Sequence, residues 1–144
     1  MISGNSINVN IIDILPDKLD LEKGIYRSYI QSKEKFCWHI IYKYTDLLIY
    51  SDKDIKDKIE KVLKEFYEEL EFVIKKYPSF LKSLSPLKIK PFFSKEIKKM
   101  CRLSEPFNVG PMAAVAGAVN DYISERLLKY CGSLLIENGG DLFF

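Results

Sequence analysis

Residues 109–144 read VGPMAAVAGAVNDYISERLLKYCGSLLIENGGDLFF and hold the one dense run of small side chains in the protein, Gly110, Ala113, Ala114, Ala116, Gly117 and Ala118. Gly110-Pro111 predicts a helix start, because proline at the first helical position gives up only an amide that has no intrahelical partner. With so little bulk on its first two turns, this helix lets a neighbouring backbone or a ligand come very close. Val115, Val119, Tyr122, Ile123, Leu127 and Leu128 continue the helical spacing towards an end near Cys131-Gly132. Leu134, Leu135 and Ile136 then read as a short buried strand. It runs into Glu137-Asn138-Gly139-Gly140-Asp141 and on to Leu142, Phe143 and Phe144.

Upstream, residues 6–15 (SINVNIIDIL) are rich in β-branched side chains and stop at Pro16, which predicts a strand or extended arm. From Ile25 to Tyr50 the chain is β-like, broken by SKEK at 32–35, a candidate hairpin turn. Within it Phe36, Trp38, Ile40 and Tyr42 alternate onto one face, and Cys37, His39, Ile41 and Lys43 onto the other. Tyr44-Thr45-Asp46 leads into Leu47–Tyr50, an apolar run of buried-strand length. Residues 51–54 (SDKD) predict the start of a long helix, with Ile55, Ile59, Val62, Leu63, Phe66, Leu70, Val73, Ile74 and Tyr77 facing inward and Pro78 ending it. Its charged face, Lys58, Glu65, Glu68, Glu69 and Lys75, is expected in solvent. Three prolines between 78 and 91 disfavour regular helix beyond a turn at 80–84. Ser94 is expected to cap a helix over 95–104 with Ile97, Met100, Cys101 and Leu103 inward.

At 144 residues with 47% hydrophobic and 29% charged side chains, the chain has the size and composition of a single globular domain. A formal net charge of +2 disfavours nucleic acid as a partner, and the lysines between 53 and 99 read as a solvated face. Three widely spaced cysteines without a CxxC pair predict reduced thiols in a cytoplasmic protein, with neither a disulfide framework nor a zinc site. No signal peptide is visible, and no apolar run reaches the about 18 residues of a membrane span. His39 is the single histidine, with no orienting carboxylate beside it in sequence, and reads as a hydrogen-bonded structural side chain.

The small-residue helix and the glycine pair each admit two readings. Exposed amides at Met112, Ala113 and Ala114 would suit a phosphate or carboxylate, while a helix packed tightly on a sheet needs the same small residues. Asn138-Gly139-Gly140 suits a hairpin turn. Two acids and an amide around two glycines also suit a ribose or a phosphate-bound magnesium.

Taken together, GPMAAVAGAVNDYI and LLIENGGDLFF resemble an uncharacterised protein family within the superfamily of ApbE, the flavin transferase. The resemblance extends upstream through YTDLLIYSD, the long helix, YPSFLKSLSPL and the 95–104 helix, from about Gly24 to Phe144, and leaves residues 1–23 as a weakly matched arm. It implies an α+β fold with N-terminal strands and long helices on a mixed sheet. The helix start and the glycine pair would border a flavin or nucleotide pocket. ApbE itself uses magnesium to transfer FMN from FAD onto a hydroxyl of a target protein. By resemblance, Gly110, Pro111, Met112 and Ala113 would lie at the ligand, Asn138, Gly139 and Gly140 would form a second wall, and Asp141 would meet the metal. The implied cofactors are FAD or FMN, with magnesium.

Family members of this kind continue further and carry a DAxxT-like metal motif, whereas this sequence stops at Phe144. The expectation is therefore a truncated member, with no complete magnesium site and no nominated catalytic base. Three functions stand side by side: a flavin- or nucleotide-handling domain, a transferase of the ApbE kind when complete; a non-catalytic module whose small-residue helix packs on a second chain, as in a homo-oligomer; and an inactive fragment.

Overall fold

The computed structural model describes residues 8–10 and 36–144. The turn expected at 32–35 lies outside the described residues, as does most of the predicted strand at 6–15. Four strands, β2 (Phe36–Tyr42), β3 (Thr45–Ser51), β4 (Leu134–Asn138) and β5 (Asp141–Phe143), form a sheet, and the three-residue β1 (Asn8–Asn10) lengthens it on the β2 side. Among the described residues four helices accompany it: α1 (Lys56–Lys76), α2 (Ser79–Lys82), α3 (Lys95–Ser104) and α4 (Val115–Leu127). The architecture is α+β.

Every strand pair among the described residues is antiparallel, which corrects the expected mixed sheet. The reason lies between β3 and β4. A single helical crossover would carry the chain to the far end of the sheet and bring it back in parallel. Here α1 leaves the Ser51 end, and α4 returns from the glycine-turn end, so β4 starts beside the point where β3 stopped. Ser51 is in register with Leu134, and Asp52 Oδ1 accepts from the amides of Gly132 (2.9 Å) and Ser133 (3.2 Å). That one carboxylate joins the two ends of the helical excursion.

The predicted alternation in β2 is observed. Trp38 and Ile40 are buried with Leu47, Ile49, Leu134 and Ile136 from neighbouring strands, and Phe36 and Tyr42 pack against the same core. The turn between β2 and β3 is at Lys43-Tyr44, with Lys43 at φ 53°, so β3 takes in Thr45 and Asp46. α1 buries Ile59, Val62, Leu63, Phe66, Tyr67, Leu70 and Val73. Its start falls one turn later than predicted. Ser51 Oγ accepts from Lys53 N and Asp54 Oδ1 from Lys56 N, so these polar side chains build the lead-in and Ile55 is the cap residue. Ser94 caps α3 as expected, its Oγ accepting from Ile97 N at 3.3 Å. Leu103, expected inward, is 46% exposed, because Ile97, Met100, Cys101 and Ser104 already fill the buried stripe.

Candidate functional site

The two motifs singled out in the sequence are brought together. α4 starts near the glycine turn, and two side-chain amides fasten helix to hairpin. Asn138 Nδ2 donates to the Ala116 carbonyl at 3.1 Å, and Asn120 Nδ2 donates to the Asp141 carbonyl at 3.1 Å. Both asparagines are buried. Gly117 faces the Asp141 carboxylate: a Cβ built on it would sit 3.7 Å from Oδ2. The turn itself is Gly139-Gly140, at φ 58° and 105°, with Asn138 paired to Asp141 across a two-residue loop. Positive φ at both positions is what such a hairpin demands, so the hairpin reading of the glycine pair holds. Around both glycines the space where a Cβ would point is open.

Not every expected ligand group is available. Gly110 is buried, and a Cβ on it would lie 1.8 Å from the Ser83 carbonyl oxygen. No atom fits at that separation, so the glycine is required by a backbone crossing. Pro111 does occupy the first position of a helical turn, but the turn is 3-10 (Pro111–Ala114), and Ala113 N donates to Gly110 O at 3.1 Å. Gly140 N is likewise engaged, donating to Glu137 Oε1 at 2.8 Å. One of the three amides expected to meet a phosphate, that of Ala113, and the Gly140 amide of the second wall are thus spent within the fold. Pro111 is buried, Met112 half-buried, and Ala113 exposed.

Asp141 is an exposed carboxylate at the hairpin. Among the described residues no group of three or more His, Cys, Asp or Glu side chains gathers to hold a metal ion, so Asp141 alone does not make a magnesium site. Two cavities lie elsewhere, one between α3 and α4 and one beside Phe72 and Phe92, and neither is lined by residues 110–113 or 138–141.

Asn120 joins the junction although no motif in the sequence singles it out. It is 2% exposed, and its Oδ1 has no hydrogen-bond partner. The available signal was an amide placed beside Val119, Tyr122 and Ile123 in the helical stripe, where a polar side chain must find a partner. His39 is hydrogen-bonded as expected, but its partner is a carboxylate that is not adjacent in sequence. Its Nε2 lies 2.6 Å from Asp46 Oδ1. The register pairs His39 with Leu48 and Ile41 with Asp46, so a carboxylate seven residues on reaches the ring diagonally across the strands.

Burial raises the Tyr67 phenol above its ordinary pKa, although Thr45 Oγ1, hydrogen-bonded to the Tyr67 hydroxyl, acts in the opposite sense. It raises the thiols of Cys37 and Cys101 as well, so neither is poised as a thiolate nucleophile. All three cysteines are free. Among the described residues no helix is long and apolar enough to cross a membrane.

A family model described as AbpE bacteria matches residues 27–144. The chain is similar to the UPF0280 protein of Methanococcus aeolicus, 35% identical over 98 residues that make up 67% of this chain and 39% of that protein. The UPF0280 protein of Methanococcus vannielii is 40% identical over 113 residues, 76% of this chain and 45% of that one. That of Methanocaldococcus jannaschii is 38% identical over 106 residues, 72% and 42% of the two chains. The chain spans less than half the length of these curated relatives.

Proposed function

The chain belongs to the AbpE bacteria family, and from that premise we propose that its α4–hairpin junction is one wall of a flavin- or nucleotide-binding site of the ApbE type. The observation that carries the reading is the pair of hydrogen bonds from side-chain amides, Asn138 to the Ala116 carbonyl and Asn120 to the Asp141 carbonyl, that hold an open two-glycine turn against the small-residue start of a helix. A rigid, unencumbered backbone of this kind is what close approach of a ribose or phosphate needs. Gly139, Gly140 and Asp141 are its accessible part, with Met112 and Ala113 at the helix side. Gly110 and Pro111 act by placing that helix. The described residues do not by themselves hold magnesium, so no step is derived through the ion; one arriving on a ligand's phosphates would find the Asp141 carboxylate.

Titration calorimetry of FAD, FMN and ADP, with and without magnesium, tests the reading. Binding that weakens in Asp141→Asn, with the denaturation midpoint unchanged, supports it. Failure of all three ligands to bind both this chain and the longer Methanococcus vannielii protein sinks it. The transfer reaction, and a cytoplasmic location resting on the three free thiols, belong to the same proposal.

A second reading, an assembly module, is favoured by β5. Among the described residues it is the last strand of the sheet, and Leu142 on it is 51% exposed. Such an edge can pair with another strand. Light scattering after size exclusion separates the two, since a chain that stays monomeric at high concentration excludes self-assembly through this edge.

A further inference from the structure

A groove of about 470 Å³ lies between α1 and the 92–94 segment, lined in part by Glu68, Glu69, Phe72, Phe92, Phe93 and Ser94. None of its lining residues belongs to the α4–hairpin junction. Its walls are aromatic and arranged edge to face: Phe72 meets Phe92 with ring centroids 6.4 Å apart, and Phe92 meets Phe93 at 5.0 Å. Its charge comes from two adjacent carboxylates. Glu69 lies partly inside, and its Oε2 is sealed from solvent without any hydrogen-bond donor. A carboxylate oxygen left in that state is costly, and a cation held in the adjoining groove, without touching that oxygen, offsets part of the cost.

The aromatic walls already take an ammonium group. Lys76, one turn along α1 from Phe72, places Nζ 4.6 Å from the Phe72 centroid and 5.4 Å from that of Phe92. Ring faces that attract one cation attract others, and carboxylates flanking such rings are the usual makings of an amine site. The volume falls within the roughly 300–1,000 Å³ of small-molecule pockets.

We propose that this groove binds a small organic ammonium ion, its charge set against Glu69 and Glu68 and its alkyl part against Phe72, Phe92 and Phe93. Lys76 is then a competitor for the same rings, and its positive charge opposes the ligand. Two substitutions therefore act in opposite directions. Glu69→Gln keeps the side-chain shape but removes the charge, and it weakens binding about tenfold or more. Lys76→Gln, on the exposed face, strengthens binding several-fold.

The experiment is titration of the isotope-labelled chain with n-butylammonium, 1-pentanol and pentanoate, followed by amide chemical shifts. The expected result is saturable shifts at residues 68–73 and 92–94 with butylammonium at millimolar concentration, and none with pentanoate. Equal binding of pentanol reduces the groove to an apolar cleft and overturns the proposal, as does the absence of saturation with butylammonium. Circular dichroism checks the fold of Glu69→Gln. Should that variant unfold, Lys76→Gln carries the test alone, because unchanged or weaker affinity there also overturns the proposal.

Discussion

Gly110 and Gly117 sit seven residues apart in the same small-residue run, yet their surroundings assign them different work. A methyl group at Gly110 would overlap the Ser83 carbonyl, an atom of the backbone that cannot rotate away. At Gly117 the nearest obstacle is the end of the Asp141 side chain, at ordinary contact distance. Gly110→Ala is therefore expected to destabilise the fold by at least about 1–3 kcal/mol, the usual range for forcing atoms into a packed site. Gly117→Ala should be neutral, or stabilising by up to about 1 kcal/mol, since alanine is the better helix former. Urea midpoints of the two variants check the contrast. If Gly110→Ala kept full stability and lost only ligand binding, the backbone-crossing account would be wrong and the glycine would belong to the site. A larger group at Gly117 is a different matter: leucine there would have to displace Asp141 and disturb the hairpin.

At the level of elements, α4 and the β4–β5 hairpin behave as a unit because buried amides bridge them. Asn138→Ala removes the bond to the Ala116 carbonyl and empties a buried polar position, at an expected cost of about 1–3 kcal/mol. The loss should be local. Hydrogen exchange ought to accelerate at residues 138–143 well before it does in α1, and uniform acceleration would instead mean that the hairpin is part of the global folding unit. Much of this level was legible in the sequence. The period of α1, the alternation of β2 and the Ser94 cap follow from rules that act within a few residues, and all three are observed. What escaped depends on contacts far apart in the chain. Asp46 reaches His39 through strand register, Asn120 finds its partner 21 residues away, and Ser83 explains Gly110 from a short helical turn far off in the sequence. The direction of β4 escaped for the same reason, since it is set by how the helical passes return the chain to the Ser51 end. Glu69 shows the limit of period arguments: it belongs to the charged face of α1, but it lines a groove shared with the 92–94 segment and one of its carboxylate oxygens is buried.

For the whole molecule, the buried phenols and thiols set how stability responds to alkali. Tyr67, Tyr122, Cys37 and Cys101 all have pKa values raised in the fold, in each case chiefly because burial penalises the charged form. The unfolded chain releases these protons first, near pH 9.0 for the thiols and 10.0 for the phenols. Above those values it binds fewer protons than the native state, so unfolding becomes more favourable as pH rises. Their stabilising contribution is whole below pH 9 and is lost as the pH climbs through the raised native values. Lys43 and Lys99 also have raised values, through Glu71 and Asp121, but these pairs are largely exposed and add little. Urea midpoints should therefore be flat from about pH 7 to 8.5 and fall steadily to pH 11. Tyr67→Phe separates the phenol from the rest. It forfeits the bond to Thr45, which lowers stability at pH 7 by about 1 kcal/mol, but it removes one titrating group and so flattens the decline above pH 10. A variant curve parallel to the wild type throughout that range would show that Tyr67 ionises alike in both states, and that its burial between α1 and the β2–β3 hairpin does not exclude water from the phenol.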